Sequence, residues 1–423
     1  MEIAIIGAGA AGMMAAATIA ESHKDINVYI IDRNTIFGKK VALTGGGRCN
    51  VTTGVNDIPE ILNRYPRGSR FLKHAMYNFS PKRVREFFEN HGVPLKEEKD
   101  LRIFPCSENG IDIVKAFEKI FLENKNIHIL KNQTVFKISK KDDKFLVQFA
   151  KRQNQTFDAI IITTGGKAYA ETGSVGDGYE FAQSLGHKVT ELAPSLSALA
   201  TKEDWTRDVS GISFNDAEIT AGKHTFRGPF LFTHKGISGP AVFAISSLIA
   251  YEKFNESSPL PISIDLFPNI SHEDLSKIIR TEIQINPKKA FKNIRVGTLA
   301  QKLTEIVGKI TKINPEKRIS ELTKNEMHEV AKTIKNLPLN IVARISGEEF
   351  VTAGGIDLSE VDPKTMQSKI CPGLFFGGEV LNIDGFTGGF NLQAAWATGC
   401  LAGESIAKLS GDGIIETLKT HYG

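Results

Sequence analysis

Three glycines and one acid near the start of the chain are spaced for a definite chemical task. Gly7, Gly9 and Gly12 form G-x-G-x-x-G, and Asp32 stands twenty residues beyond Gly12. Gly7 permits a tight turn, Gly9 lets the backbone approach a pyrophosphate, and Gly12 lets the next helix pack close against a sheet. The pyrophosphate would rest on the free N–H groups and partial positive charge at that helix's N-terminus. Asp32 would accept hydrogen bonds from a ribose 2′-hydroxyl and repel a 2′-phosphate.

The elements that must hold these residues surround them. Glu2–Ile6 reads as a short buried strand, 10–20 as an Ala-rich helix and 27–32 as a second apolar strand, which together make a βαβ unit. The stretch 37–50 carries four glycines and three cations with little helical period. Such a loop wraps an anion, so Lys40, Thr44, Arg48 and Asn50 become candidate donors to the same ligand. Ser80 as N-cap and Pro81 at the first position start a helix that stops at Gly92, and a further helix runs over 111–123. Four β-like segments, 127–130, 134–139, 144–150 and 156–163, read as a β-meander inserted into the parallel sheet. The run Thr163-Thr164-Gly165-Gly166 that closes them is a second place for close backbone approach, and the Gly-rich 173–179 opens a helix ending at Gly186.

From about residue 190 the texture changes to short alternating segments, which predicts a separate, mostly β domain. Residues 272–335 become helical, with Leu299, Leu303, Ile306 and Ile310 on one face. The expected class is α/β, with a Rossmann-type dinucleotide-binding domain over 1–189 and 352–423. A β-rich substrate domain would span 190–270 and 336–351, and a small helical domain 271–335.

Near the C-terminus glycines return, at Gly377-Gly378-Glu379 and in Asp384-Gly-Phe-Thr-Gly-Gly-Phe-Asn391, where a helix begins. Two Gly-rich sites at opposite ends of one chain imply a ligand held by both, and the G-x-G-x-x-G accounts only for its nucleotide end. A nicotinamide would leave the C-terminal glycines unexplained; FAD explains both. The helix starting near Asn391 would then offer N–H groups where negative charge develops on the flavin. No second G-x-G-x-x-G follows, so NAD(P)H, if it is the reductant, must use a transient site.

The motifs Ile5-Ile-Gly-Ala-Gly-Ala-Ala-Gly12, Thr44-Gly-Gly-Gly-Arg-Cys-Asn50, Phe232-Thr-His-Lys-Gly-Ile-Ser-Gly-Pro240 and Asp384 to Gln393 together resemble the bacterial aminoacetone-oxidase-type, BaiN-like flavoproteins. That resemblance implies the three-domain organisation above, its Rossmann domain being a glutathione-reductase-like FAD domain with the β-rich substrate domain and the small helical domain inserted in it. It places FAD contacts on Gly7, Gly9, Ala10, Ala11, Gly12, Asp32, Arg33, Lys40, Thr44, Gly45, Gly46, Gly47, Asn50, Val135, Thr164, Gly165, Glu379, Asn391 and Leu392. The activities it suggests are oxidation of a small amine, with oxygen or another acceptor restoring the flavin, and, as an alternative, NAD(P)H-dependent reduction of a steroid enone. His234, at a strand end beside Gly236 and Gly239, is the candidate catalytic side chain. Tyr169, Tyr179 and Trp396 read either as a pocket lining or as core, and Cys49 as a buried thiol.

Composition narrows the remaining classes. With 41% hydrophobic and 24% charged residues the chain is an ordinary globular one. Four scattered cysteines without C-x-x-C spacing point to neither a disulfide framework nor a metal site. Met1 to Ala20 lacks a basic leader and is broken by glycines, and no run of apolar residues reaches spanning length; a soluble cytoplasmic protein acting on a small molecule is expected. Net charge is only +4, yet 271–335 holds 14 Lys and Arg against 8 Asp and Glu, a difference of +6. Without interleaved aromatics this reads as a solvated helical face more than as a nucleic-acid site.

Overall fold

The computed structural model describes residues 1–345, 347 and 349–411; the end of the expected FAD domain, 412–423, lies outside them. The chain divides into two compact units, Met1–Ala193 with Phe350–Gly423, and Pro194–Glu349.

Five parallel strands centre the first unit: β1 (Glu2–Ile6), β2 (Asn27–Ile31), β3 (Ile127–Leu130), β4 (Ala159–Ile162) and β5 (Leu374–Phe376). Their spatial order is β5-β4-β1-β2-β3. β1 and β4 are unbroken apolar runs because both their faces are covered. Helix α1 (Ala10–Ser22) lies against the C-terminal helix Phe390–Gly411, and small residues make the approach possible. A Cβ on Gly399 would stand 2.3 Å from the Ala11 carbonyl oxygen, and one on Gly403 2.7 Å from that of Ala15.

The expected meander is corrected in two places. Residues 127–130 belong to the parallel sheet as β3, and the strand expected over 156–163 breaks at Asp158. Its carboxylate accepts the Glu2 N–H at 2.7 Å and pairs with Lys144 at 2.9 Å, which fixes the corner. Val135–Lys141, Lys144–Phe149 and Gln155–Phe157 form a separate antiparallel sheet, and β4 returns to the core. The 37–50 loop also contains one helical turn, Lys39–Leu43, that its composition concealed.

Beside β5, His187 is buried with Nε2 2.8 Å from Ser368 Oγ and Nδ1 3.2 Å from a Glu360 carboxylate oxygen, its ring edge-on to Phe376. Burial holds this imidazole below the usual histidine range, outweighing the carboxylate.

The second unit is a closed barrel of six strands carrying the helices His272–Ile285, Gln301–Thr311 and Lys324–Lys335. The segment expected as a third domain, 271–335, lies within this unit. Ile279, Leu303 and Ile334 from its helices join Ile219, Ile264 and Leu339 of the barrel in one apolar core.

Candidate functional site

The carboxyl ends of the parallel strands, where α/β sheets bind ligands, gather most of the expected residues of the first unit. The chain leaves β1 through Gly7 at φ +105°, with its N–H bonded to the Ile31 carbonyl at 2.8 Å. A Cβ at Gly7 would sit 2.7 Å from the Thr163 carbonyl oxygen, and one at Gly12 2.0 Å from that of Gly7. Both glycines are therefore demanded by the protein's own packing. Gly9 differs: it caps α1 with no side-chain hydrogen bond, and a Cβ there would meet nothing within 4 Å. Its glycine is explained by space left for a ligand at the helix N-terminus, where Ala10 and Ala11 start the first turn.

Asp32 faces this turn. Its two oxygens accept the Ala8 and Asn34 N–H groups, each at 2.7 Å. The acid thus shapes the glycine turn. Val135 is brought alongside by backbone bonds from Gln133 to Asp32 and from Asn132 to Asn34, both 2.9 Å. Thr164, just past β4, has a buried hydroxyl with no hydrogen-bond partner among the described residues. Gly165 follows it at φ +75°. A second open cradle lies at Gly46 and Gly47, left-handed glycines whose added Cβ would meet nothing within 4 Å. Gly45, beside them, is instead pressed against Phe104, and the Thr44 hydroxyl donates to the Val41 carbonyl at 2.7 Å.

Two long-range pairs join this half to the C-terminal glycines. Lys40 Nζ meets a Glu379 carboxylate oxygen at 2.8 Å, and the other Glu379 oxygen accepts the Thr352 N–H at 2.9 Å. Asn50, with its amide oriented to satisfy its neighbours, accepts the Gly389 N–H at 2.9 Å. Asn391 is spent inside its own loop, donating to and accepting from Gly385 at 2.7 and 2.8 Å, beside the half-buried Leu392. Arg33 is paired with Asp177, whose carboxyl burial pushes above its usual range against that cation.

Several supports had no signal in the sequence. Arg67 makes a two-pronged pair with the buried Asp384, and the Tyr65 hydroxyl donates to the Phe390 carbonyl at 2.6 Å. Gln393 accepts from Thr52 at 2.6 Å and donates to the Phe79 carbonyl at 2.7 Å. Thr352 could have been suspected, because Gly354 and Gly355 follow it.

Other expected residues fall elsewhere. Arg48 is engaged by Glu98 and Glu108 and lies over the Phe104 ring at 3.9 Å. Tyr179 and Trp396 are core. Cys49 is wholly buried, and burial pushes its thiol up to about 12, far from a reactive thiolate. His234 is exposed in the turn between the barrel strands His224–Thr233 and Gly236–Ser238, in the second unit.

The open space at Gly9, Gly46 and Gly47, the unpartnered Thr164 hydroxyl and the uncapped α1 fit an FAD whose nucleotide end lies on α1. Gly7, Gly9, Gly12, Asp32 and Thr164 would hold that end, and the loop 44–50 with Glu379 and the 388–392 turn the other. This is the construction of a dinucleotide-binding flavoprotein, and the chain is an FAD-dependent oxidoreductase. Residues 1–405 match the HI0933-like protein Rossmann domain, and the chain belongs to that family.

The 3-dehydro-bile acid delta(4,6)-reductase of Clostridium scindens is 30% identical over 412 residues, 96% of this chain and 99% of the relative. The ribosomal RNA dihydrouridine synthase of Haemophilus influenzae is 31% identical over 414 residues, 96% and 98% of the two chains. The 3-ketosteroid delta1-dehydrogenase of Sterolibacterium denitrificans shares the fold at a TM-score of 0.52 and 12% identity, covering 96% of this chain and 99% of that one. No helix among the described residues is long and apolar enough to cross a membrane.

Proposed function

We propose that this protein reduces a carbon–carbon double bond conjugated to a carbonyl. The observation that carries the reading is that two relatives of about equal identity, each aligned over nearly its whole length, have names denoting this one reaction on different molecules. A bile-acid enone and a uracil both present a C=C bond polarised by a neighbouring C=O. FAD, once reduced, supplies the hydride for the β-carbon. The α-carbon takes a proton, so the double bond is consumed and one pair of electrons is spent per turnover. NAD(P)H is the proposed source of that pair, visiting the site transiently because the chain carries one dinucleotide fingerprint.

The chain's own residues hold and polarise. The first-turn N–H groups of α1 bind the pyrophosphate, and Asp32 orients the ribose. The Lys40–Glu379 pair ties the 37–50 loop to the glycines after β5, so both ends of the cofactor share one frame. His234 is kept as the proposed catalytic side chain. Amine oxidation, the direction first suggested by family resemblance, draws no support from these names.

The test is anaerobic. The FAD-loaded enzyme is reduced, then mixed with a steroid enone, with uridine-containing RNA or with buffer, and the return of oxidised-flavin absorbance is followed. Reoxidation by either unsaturated substrate with recovery of its dihydro product is expected. Bleaching of the oxidised enzyme by aminoacetone, with no reoxidation by either acceptor, would overturn the reading in favour of amine oxidation. His234→Gln should slow turnover while leaving FAD binding unchanged.

A further inference from the structure

We infer that the helical face of the second unit is a docking surface for the phosphate backbone of folded RNA. The inference rests on the reading above, and it names the molecule in which the conjugated double bond is carried. It begins with an asymmetry of charge. Residues 271–335 hold 14 cations and 8 carboxylates, whereas the rest of the chain holds 38 and 40, from totals of 52 and 48. The small overall charge therefore hides a cationic segment on a slightly anionic protein.

Pairing sharpens the asymmetry. Five of the 8 carboxylates of this segment are already engaged by lysines within it. Lys288, Arg295, Lys302, Lys309, Lys312 and Arg318 are all exposed, and none has a carboxylate within ion-pair distance among the described residues. A solvated helical face would be expected to balance both signs; here, among the described residues, these six with Arg280 and Lys324 are left over against three unpaired carboxylates, Glu273, Glu305 and Glu321.

These six are fastened near one another around Phe291. Ala290 and Arg318 form an antiparallel bridge, the Phe291 N–H donates to the Lys317 carbonyl at 2.7 Å, and the Lys292 N–H to that of Pro315 at 3.0 Å. Gly308, next to Lys309, packs directly on the Phe291 ring, and the Gln301 side chain, next to Lys302, donates to the Lys292 carbonyl. Arg295 also lines an open groove of about 350 Å³ with Lys277 and Ile285.

The form of the patch selects among anions. Its cations sit on helix ends and connecting turns rather than along one amphipathic helix. Ile285 is the one large apolar side chain of the segment strongly exposed among the described residues. A membrane surface would require an apolar face to insert, whereas a nucleic-acid backbone requires only spread, unpaired cations that fix register and leave base chemistry to another site. A uracil to be reduced belongs to RNA, so RNA is the occupant.

The experiment uses the full-length, FAD-loaded protein and a fluorescent uridine-containing ribosomal RNA hairpin, with anisotropy titrations at several KCl concentrations. Wild type should bind with an affinity that falls steeply with salt. The variant R295E/K302E/K309E/R318E should bind at least about tenfold more weakly, with a salt slope shallower by about one for each phosphate that it no longer neutralises. Its flavin content, thermal midpoint and reduction of a free steroid enone should stay at wild-type values. R318K alone should retain binding, because a backbone phosphate needs the charge.

Equal affinity and slope in wild type and the quadruple variant would overturn the inference. So would binding to phosphatidylglycerol vesicles without binding to the hairpin. Salt-dependent binding that the variant loses, in an enzyme that reduces neither RNA nor enone, would sink the proposed reaction and leave the surface standing.

Discussion

The two glycine-rich helix starts of the first unit look alike as sequence and are built for opposite reasons. At the N-terminal one, a Cβ on Gly9 would enter open space at a backbone φ of −81° that any residue adopts. At the C-terminal one, a Cβ on Gly389 would stand 2.3 Å from the Thr52 carbonyl oxygen, and the backbone is left-handed at +89°. One glycine borders open space; the other makes room for the protein. The Gly389 N–H, moreover, is taken by Asn50, and the Gln393 N–H already bonds the Gly389 carbonyl, so the first-turn amides left at this helix start among the described residues are those of Phe390, Asn391 and Leu392.

The comparison breaks most directly under a pair of substitutions. Gly389→Ala should destabilise the protein by about 3 kcal/mol or more, since backbone strain and a steric clash act together. Gly9→Val should leave the apo-protein's thermal midpoint within about a degree or two of wild type and yield a colourless protein that FAD cannot reconstitute. Thermal melts of both apo-forms with absorbance spectra decide it. A Gly9→Val protein that stays yellow would show that the pyrophosphate does not rest there.

Asp32→Ala tests whether the acid serves the ligand, the turn or both. It holds two backbone N–H groups, and if it also holds the ribose, as proposed, the substitution should weaken FAD binding by about 1.5 to 3 kcal/mol as well as lower apo-protein stability. Calorimetric FAD titration together with an apo melt separates the two losses. Unchanged FAD affinity would assign Asp32 to the turn alone.

The smallest effect is a pH dependence confined to the C-terminal half. His187 packs edge-on against Phe376 of β5 and is held below its ordinary pKa by burial. The folded state favours the neutral ring, so its contribution is complete above about pH 6.5 and is lost as pH falls below that value. Stability should therefore fall as pH drops from about 6.5 into the acid range, and His187→Gln should flatten that fall. A wild-type profile level across this range would mean that the ring titrates as freely folded as unfolded.

What could be read from the sequence divides along the same line. The βαβ unit, Asp32 and the helix over 111–123 were legible because each is dictated by local spacing: buried strands are continuous apolar runs and caps lie within a turn. The break at Asp158, the Lys40–Glu379 pair and the Arg67–Asp384 clamp were not, since each joins residues far apart in the chain and no periodicity announces the partner. Arg48 shows the converse error. A cation in a glycine loop beside a nucleotide site invites assignment to the ligand, and tertiary pairing with Glu98 and Glu108 took it instead. Whether His234 acts was beyond the reach of sequence for the same reason, as a turn histidine has the same local pattern whatever it faces.

The central sheet is completed by β5, a strand made more than two hundred residues after its neighbour β4, and this sets an order of events during synthesis. The barrel unit is one continuous segment and can close on the ribosome as soon as residue 349 has emerged. The first unit must wait with an open sheet edge beside β4 until Leu374–Phe376 and the helix after it arrive. FAD is then captured late, once β5 has joined the sheet, and starvation for the cofactor should expose nascent first units to proteases while sparing the barrel. Pulse-labelled chains stalled with residue 349 just clear of the ribosome should yield a protease-resistant fragment of the second unit alone; a resistant first unit at that stage would reverse the order.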